Sequence, residues 1–311
     1  MTTPPAPLPD AARANWVDRF APEALKPWLK LARLDRPVGV WLLLLPAWQG
    51  VALACAMSGQ RLDFRLIALF AAGALLMRSA GCAFNDVIDR DIDAKVARTA
   101  ARPIAAGQIR VRQALAFIVV CCLLSLAILL QLGLPAIILG AASLALVAVY
   151  PFMKRITWWP QAWLGLTFNW GALMGFVAVV PEDGLRLPAL LLYASGVFWT
   201  LGYDTIYAIQ DLEDDALIGV KSSARRLGRA TPLGVAVFYA LAFALAVAAG
   251  VTAGLGPSVW LFAVFGLILV WQVWRLASKT AVSAPVALSL FKLNIRAGFA
   301  LFLAISIGLW R

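Results

Sequence analysis

Apolar and polar stretches alternate along the chain on a scale of about 20 residues. Nine apolar runs stand out, at roughly 38–57, 64–84, 112–133, 135–152, 161–180, 187–206, 231–254, 257–277 and 288–310. Each has about the length an α-helix needs to cross a hydrocarbon layer of about 30 Å. Barrel strands would instead be about 10 residues long with alternating polarity. The pattern predicts an all-α integral membrane protein of about nine transmembrane helices. Residues 1–37 form a cytoplasmic tail, and 38–311 form one polytopic domain.

Composition agrees. Hydrophobic residues make up 62% of the 311, and only 14% are charged. A water-soluble domain of this size has too little interior to hide that much apolar surface. The opening "MTTPPAPLPDAARANWVDRF" lacks the basic region, apolar core and cleavage site of a secretory signal. It reads as a Pro-rich tail followed by an amphipathic stretch. There Trp16, Phe20, Leu25, Trp28 and Leu31 would rest on the membrane surface, with Arg19, Lys26 and Lys30 facing headgroups.

Charge sets orientation. Most of the 27 basic residues fall in the tail, in 85–111, 153–160, 207–230 and 278–287, or at nearby span ends. Arg61, Arg65, Arg186 and Arg311 lie on the other side. The first set is expected on the cytoplasmic or matrix face of a bacterial or mitochondrial inner membrane.

The chain has no histidine, which removes the commonest general base and zinc ligand. Its four cysteines lie in apolar runs without metal-ligand spacing and read as packing residues. Any catalysis falls to carboxylates, cations, tyrosines or a bound metal.

Two acidic clusters share the basic side. The first is "AGCAFNDVIDRDID", residues 80–93, with four aspartates and an asparagine from position 85 on. On a continuing helix Asn85, Asp86, Asp89 and Asp93 share an arc of about 100°. The second is "GYDTIYAIQDLEDDALIGVKSS", residues 202–223. On a continuous helix Asp204, Asp211 and Asp215 align within about 40°. Same-face carboxylates repel one another by a few tenths of a kcal/mol per pair. A hard cation removes that cost, and Mg²⁺ favours oxygen ligands shared with phosphate. Arg78, Lys95, Arg98, Arg102, Lys154 and Lys221 flank the acids, and Tyr150 stands one turn before Lys154. Such a mixed rim suits metal plus phosphate. Phe168, Trp170, Phe176, Phe198, Trp199, Tyr203 and Tyr207 would line a lipid-tail cavity, stabilise a carbocation, or simply pack.

These residues resemble the UbiA-type membrane prenyltransferase family over nearly the whole chain. "NDVIDRDID" is similar to its first Asp-rich motif, "DLEDD" to its second, and "YPFMK" to its Tyr-x-x-x-Lys element. "RLDRPVGVWLLLLPAWQG" and "FKLNIRAG" resemble the branch acting on 4-hydroxybenzoate in ubiquinone synthesis. "TAARP" departs from the pattern, with alanine before the second arginine. The resemblance implies a fold of nine transmembrane helices around a central cavity, and Mg²⁺-dependent transfer of a polyprenyl group from polyprenyl diphosphate to an aromatic ring. Asn85, Asp89 and Asp93, with Asp86 beside them, would hold one Mg²⁺, and Asp211 and Asp215 a second. Arg98, Arg102, Lys154 and Lys221 would contact diphosphate, with Arg78 and Tyr150 nearby. Arg36 would meet the acceptor's carboxylate, and Asp204 would orient or deprotonate its phenol.

Rival readings are weaker. A transporter wants ionisable groups and broken helices near the bilayer midplane, whereas these acids sit at the rim. A membrane scaffold leaves the paired acids unexplained. A phosphatidyl transferase lacks its Asp-Gly-x-x-Ala-Arg signature here. Other acceptors within the family (dihydroxynaphthoate, homogentisate, haem or a chlorophyll precursor) remain the closer alternative. Nothing in the pattern suggests a nucleic-acid partner.

Overall fold

The computed structural model describes residues 15–95, 99–212, 219–278 and 282–309. Two short helices, α1 (Trp16–Phe20) and α2 (Lys26–Leu31), precede the long ones. Then come α3 (Val38–Ser58), α4 (Phe64–Asp93), α5 (Val111–Leu129), α6 (Leu134–Ile156), α7 (Pro160–Val179) and α8 (Leu187–Ala208). A short α9 (Ser223–Leu227) is followed by α10 (Thr231–Thr252), α11 (Phe262–Ala277) and α12 (Ala284–Ile307).

Among the described residues, eight helical stretches are long and apolar enough to span a membrane. The chain is an integral membrane protein. The ninth expected span is α8, which has the length but carries more polar side chains. Ser195, Thr200, Tyr203 and Thr205 on it are all buried, so protein rather than lipid surrounds them. Proline in the first turn opens α6, α7, α8, α10 and α12, where its missing N–H costs nothing.

The chain divides into two compact units, residues 1–40 with 72–128, and residues 41–71 with 129–311. In the first, Leu31, Ala83, Ile104, Ile109 and Ala114 form a core, and Trp28 and Phe117 pack against it. This corrects the expected membrane-surface role of Trp28 and Leu31, since Leu31 is fully buried. Packing against α4 and α5 claims them first. Trp16, Phe20 and Leu25 do stay exposed.

In the second unit α7 runs very close to α3. A Cβ on Gly175 would sit 2.3 Å from the Ala47 carbonyl oxygen, so only glycine fits. Small residues at helix contacts suit a lipid setting, where close packing and interhelical hydrogen bonds hold helices together. A buried polar knot adds to this. The Trp199 indole donates to Asn294 Oδ1 at 2.8 Å, and Tyr239 Oη donates to Gln272 Oε1 at 2.9 Å. Asn294 Nδ2 donates to Gln272 Oε1 at 3.0 Å. The knot ties α8, α10, α11 and α12. Phe176, Trp199 and Tyr203 are each about 1% exposed, and Trp199 meets Tyr203 edge-on with ring centres 5.3 Å apart. These three aromatics are packing residues.

Candidate active site

In the first unit the helix assumed from the sequence is real. α4 continues unbroken through the acidic motif to Asp93. Asp86, Asp89 and Asp93 are 1%, 4% and 6% exposed. Burying three carboxylates together demands compensation, and arginines supply it. Arg33 Nη2 donates to Asp86 Oδ1 at 2.6 Å. Arg102 Nη1 donates to Asp93 Oδ2 at 2.7 Å and to Asp86 Oδ1 at 3.2 Å.

Local structure places Arg102 there. Thr99 Oγ1 donates to the Asp93 carbonyl at 3.0 Å, and the Arg102 N–H reaches the Thr99 carbonyl at 2.9 Å. Ile104 and Ile109 then anchor the segment in the core. Apolar side chains within "RPIAAGQI" thus hold the polar one in place.

Before α3, "RLDRP" brings more charge. Arg36 Nε lies 3.3 Å from Asp35 Oδ2. Burial pushes the Asp35 carboxyl above the usual carboxylate range, although Arg36 and Arg33 pull the other way. Burial also penalises the Arg33 charge, but Asp86 and its neighbours outweigh this and raise its pKa. A Cβ on Gly39 would lie 2.7 Å from Arg78 Nε, so glycine there makes room for the Arg78 guanidinium.

The donor set fits a hard cation. Asn85 Oδ1 and Asp86 Oδ2 are buried and accept no hydrogen bond. Such oxygens are costly unless something positive meets them. Among the described residues no three carboxylates or thiols already converge on one point; Arg102 lies between Asp86 and Asp93.

In the second unit Asp204 is half-buried on α8. The α-helix ends at Ala208, and a 3₁₀ turn follows over Ile209–Asp211. A 3₁₀ turn advances about 120° per residue rather than 100°. The continuous-helix alignment of Asp204 with Asp211 therefore does not carry past Ala208. Asp215 and Arg98 lie outside the described residues. Tyr150 and Lys154 are half-buried near the end of α6. The Lys221 N–H donates to the Lys154 carbonyl at 3.0 Å, and Lys221 Nζ donates to the Ile156 carbonyl at 3.1 Å. The two expected phosphate lysines are thus joined through the backbone. Gln161 Oε1 accepts from the Ser223 N–H at 3.0 Å, and Thr205 Oγ1 and Ser223 Oγ lie 2.6 Å apart. These bonds pin the chain after the second motif onto α7 and α8.

Sequence reasoning did not single out Arg33 or Asp35. Their only signal was an Arg-x-Asp-Arg run just before a span. It also passed over Asn294 and Gln272, whose signal was a carboxamide inside an apolar run.

The model of the UbiA prenyltransferase family matches residues 43–295. The Arabidopsis thaliana protein named 4-hydroxybenzoate polyprenyltransferase, mitochondrial, is 52% identical over 227 residues, covering 72% of this chain and 55% of that protein. The Mus musculus protein of the same name is 46% identical over 295 residues, covering 93% of this chain and 76% of that protein. The chain therefore spans about half the length of several curated relatives it matches, and more of others. A UbiA homolog from Aeropyrum pernix K1, solved in its apo form, superposes with a TM-score of 0.71 at 26% identity, covering 86% of this chain and 97% of that one. A UbiA homolog from Archaeoglobus fulgidus bound to GPP and Mg²⁺ gives 0.59 at 18% identity, covering 89% and 99%.

Proposed function

Since this chain belongs to the UbiA prenyltransferase family, we propose that it transfers a polyprenyl group from polyprenyl diphosphate to the 3-position of 4-hydroxybenzoate in ubiquinone biosynthesis. The observation that carries the reading is the buried face of Asp86, Asp89 and Asp93 threaded with Arg33 and Arg102. It offers carboxylates for a cation beside guanidinium for phosphate. Relatives about half identical in sequence and named for this acceptor support the choice of ring.

Asn85, Asp86, Asp89 and Asp93 would hold one Mg²⁺, and Asp211 and Asp215 a second. Bound Mg²⁺ supplies positive charge against the diphosphate as it leaves. The chain's own groups do the rest. Arg98, Arg102, Lys154 and Lys221 bind the diphosphate, and Arg78 and Tyr150 border it. They offset the negative charge that grows as the allylic C–O bond breaks. Arg36 pairs with the benzoate carboxylate and fixes which ring carbon faces the prenyl C1. Asp204 accepts from the phenol and raises electron density at the carbon ortho to it. That carbon attacks C1, and the ring proton passes to a carboxylate or to the released diphosphate. The acids face the cytoplasm or the mitochondrial matrix, and the prenyl tail lies among membrane lipid.

An acceptor competition tests the reading. Membranes carrying the chain receive one prenyl diphosphate and equal amounts of 4-hydroxybenzoate, dihydroxynaphthoate and homogentisate. Prenylated 4-hydroxybenzoate should dominate. A product formed only on another ring would replace the acceptor and keep the family.

A further inference from the structure

Arg33 sits where a glycine would be easier. Helix α2 closes with the Arg33 N–H on the Lys30 carbonyl at 3.1 Å and the Leu34 N–H on the Leu29 carbonyl at 2.9 Å. This bond pair ends a helix through one left-handed residue, usually glycine. Arg33 is that residue, with φ 58°, and no other non-glycine among the described residues has positive φ. A side chain there strains the backbone, so the turn alone gives no reason for an arginine.

The side chain gives the reason. Its Nη1 donates to the Lys30 carbonyl at 3.2 Å and its Nη2 to Asp86 Oδ1 at 2.6 Å. The guanidinium side chain is 11% exposed and that of Asp86 1%. The turn is braced from outside too, because the Trp16 indole donates to the Leu34 carbonyl at 2.7 Å. Arg33 is thus committed at both ends of its fork. Arg102 is shared between Asp86 and Asp93 and partly exposed, so it can turn toward a ligand. Asp86 has its Oδ1 taken, while its Oδ2 and the adjacent Asn85 Oδ1 are buried without hydrogen bonds.

We propose that Arg33 is a positioning residue for cation binding: by holding Asp86 Oδ1 through a rigid, left-handed turn, it leaves Asp86 Oδ2 and Asn85 Oδ1 presented to a Mg²⁺ ion. Groups that orient a metal-binding carboxylate typically govern affinity about ten- to hundredfold. The inference rests on the proposed prenyl transfer only for the identity of the cation.

The test uses the full chain in detergent, with Mn²⁺ binding read by electron paramagnetic resonance and Mg²⁺ binding read as a rise in melting temperature. Arg33→Gly keeps the turn, which glycine adopts freely, and removes the fork. Its Mn²⁺ and Mg²⁺ midpoints should rise about ten- to hundredfold. Arg33→Lys should shift them less, since an ammonium cannot span Lys30 and Asp86 as a fork does. Arg90→Gln, altering an exposed arginine in the same motif, should leave both unchanged. Unchanged midpoints in folded Arg33→Gly would overturn the inference. If that variant does not fold, an unchanged midpoint in Arg33→Lys does so. Failure of the unsubstituted chain to bind either ion also overturns it. Metal binding that depends on Arg33, without prenyl transfer to any acceptor, upholds the inference and sinks the functional reading instead.

Discussion

Arg102 Nη1 lies 2.7 Å from Asp93 Oδ2, so a guanidinium sits on the acidic face. The same nitrogen reaches Asp86 at 3.2 Å. In the proposed reaction Arg102 would contact the diphosphate, while the acids beside it would hold Mg²⁺. Arg102→Gln should therefore raise KM for the prenyl diphosphate by about tenfold or more, the loss of one charge-assisted contact of about 1.5–3 kcal/mol. Arg102→Lys should fall between, since an ammonium lacks the fork. Steady-state kinetics at fixed Mg²⁺ checks both.

The acids themselves make a harder prediction. Asp89→Ala and Asp215→Ala should each abolish turnover while the protein still inserts and elutes as a single folded species. Near-normal activity in either variant would remove that residue's assignment and the two-ion arrangement with it.

Asp35 predicts a pH effect. Burial raises its pKa above the model-peptide value of 3.8, so the native chain holds this proton more tightly than the unfolded chain does. Between 3.8 and the raised value, stability falls as pH rises. Above the raised value the full penalty is present. Asp35→Asn should raise the melting temperature in detergent at pH 7, and the gain should shrink as pH falls toward 3.8. A gain that is the same at all pH values would contradict this account.

Packing in the second unit predicts two losses of stability. Gly175→Ala pushes a methyl into the Ala47 carbonyl and should cost about 1–3 kcal/mol. Asn294→Leu removes the acceptor of the Trp199 indole N–H and of Gln272 Nε2 and should cost about 1–3 kcal/mol per group left unpaired. Melting curves in detergent measure both. Neither residue is among the proposed metal-binding groups, so the remaining folded fraction should keep its Mg²⁺ requirement.

Much of this was legible in the sequence, for identifiable reasons. Spans announce themselves because lipid forbids unsatisfied backbone and so enforces long apolar helices. The first acidic face was legible because α4 keeps its α-helical period through Asp93. The alignment of Asp204 with Asp211 was not, because the chain tightens into a 3₁₀ turn at Ile209–Asp211 and periodicity cannot see that switch. Trp28 and Leu31 misled because an amphipathic helix looks alike whether its apolar face meets lipid or protein. Arg33 was hidden for a different reason. Its role depends on a left-handed backbone and on Asp86, 53 residues away, and neither is written in local spacing.

The most direct test of the central claim uses membranes containing the expressed chain, supplied with 4-hydroxybenzoate and a polyprenyl diphosphate. Products are read by mass, with Mg²⁺ present or removed by EDTA. The account predicts a 3-polyprenyl-4-hydroxybenzoate that forms with Mg²⁺, vanishes with EDTA and returns when Mg²⁺ is restored. Product formation that continues undiminished in EDTA, or no product from well-folded protein with any prenyl chain length, would contradict it.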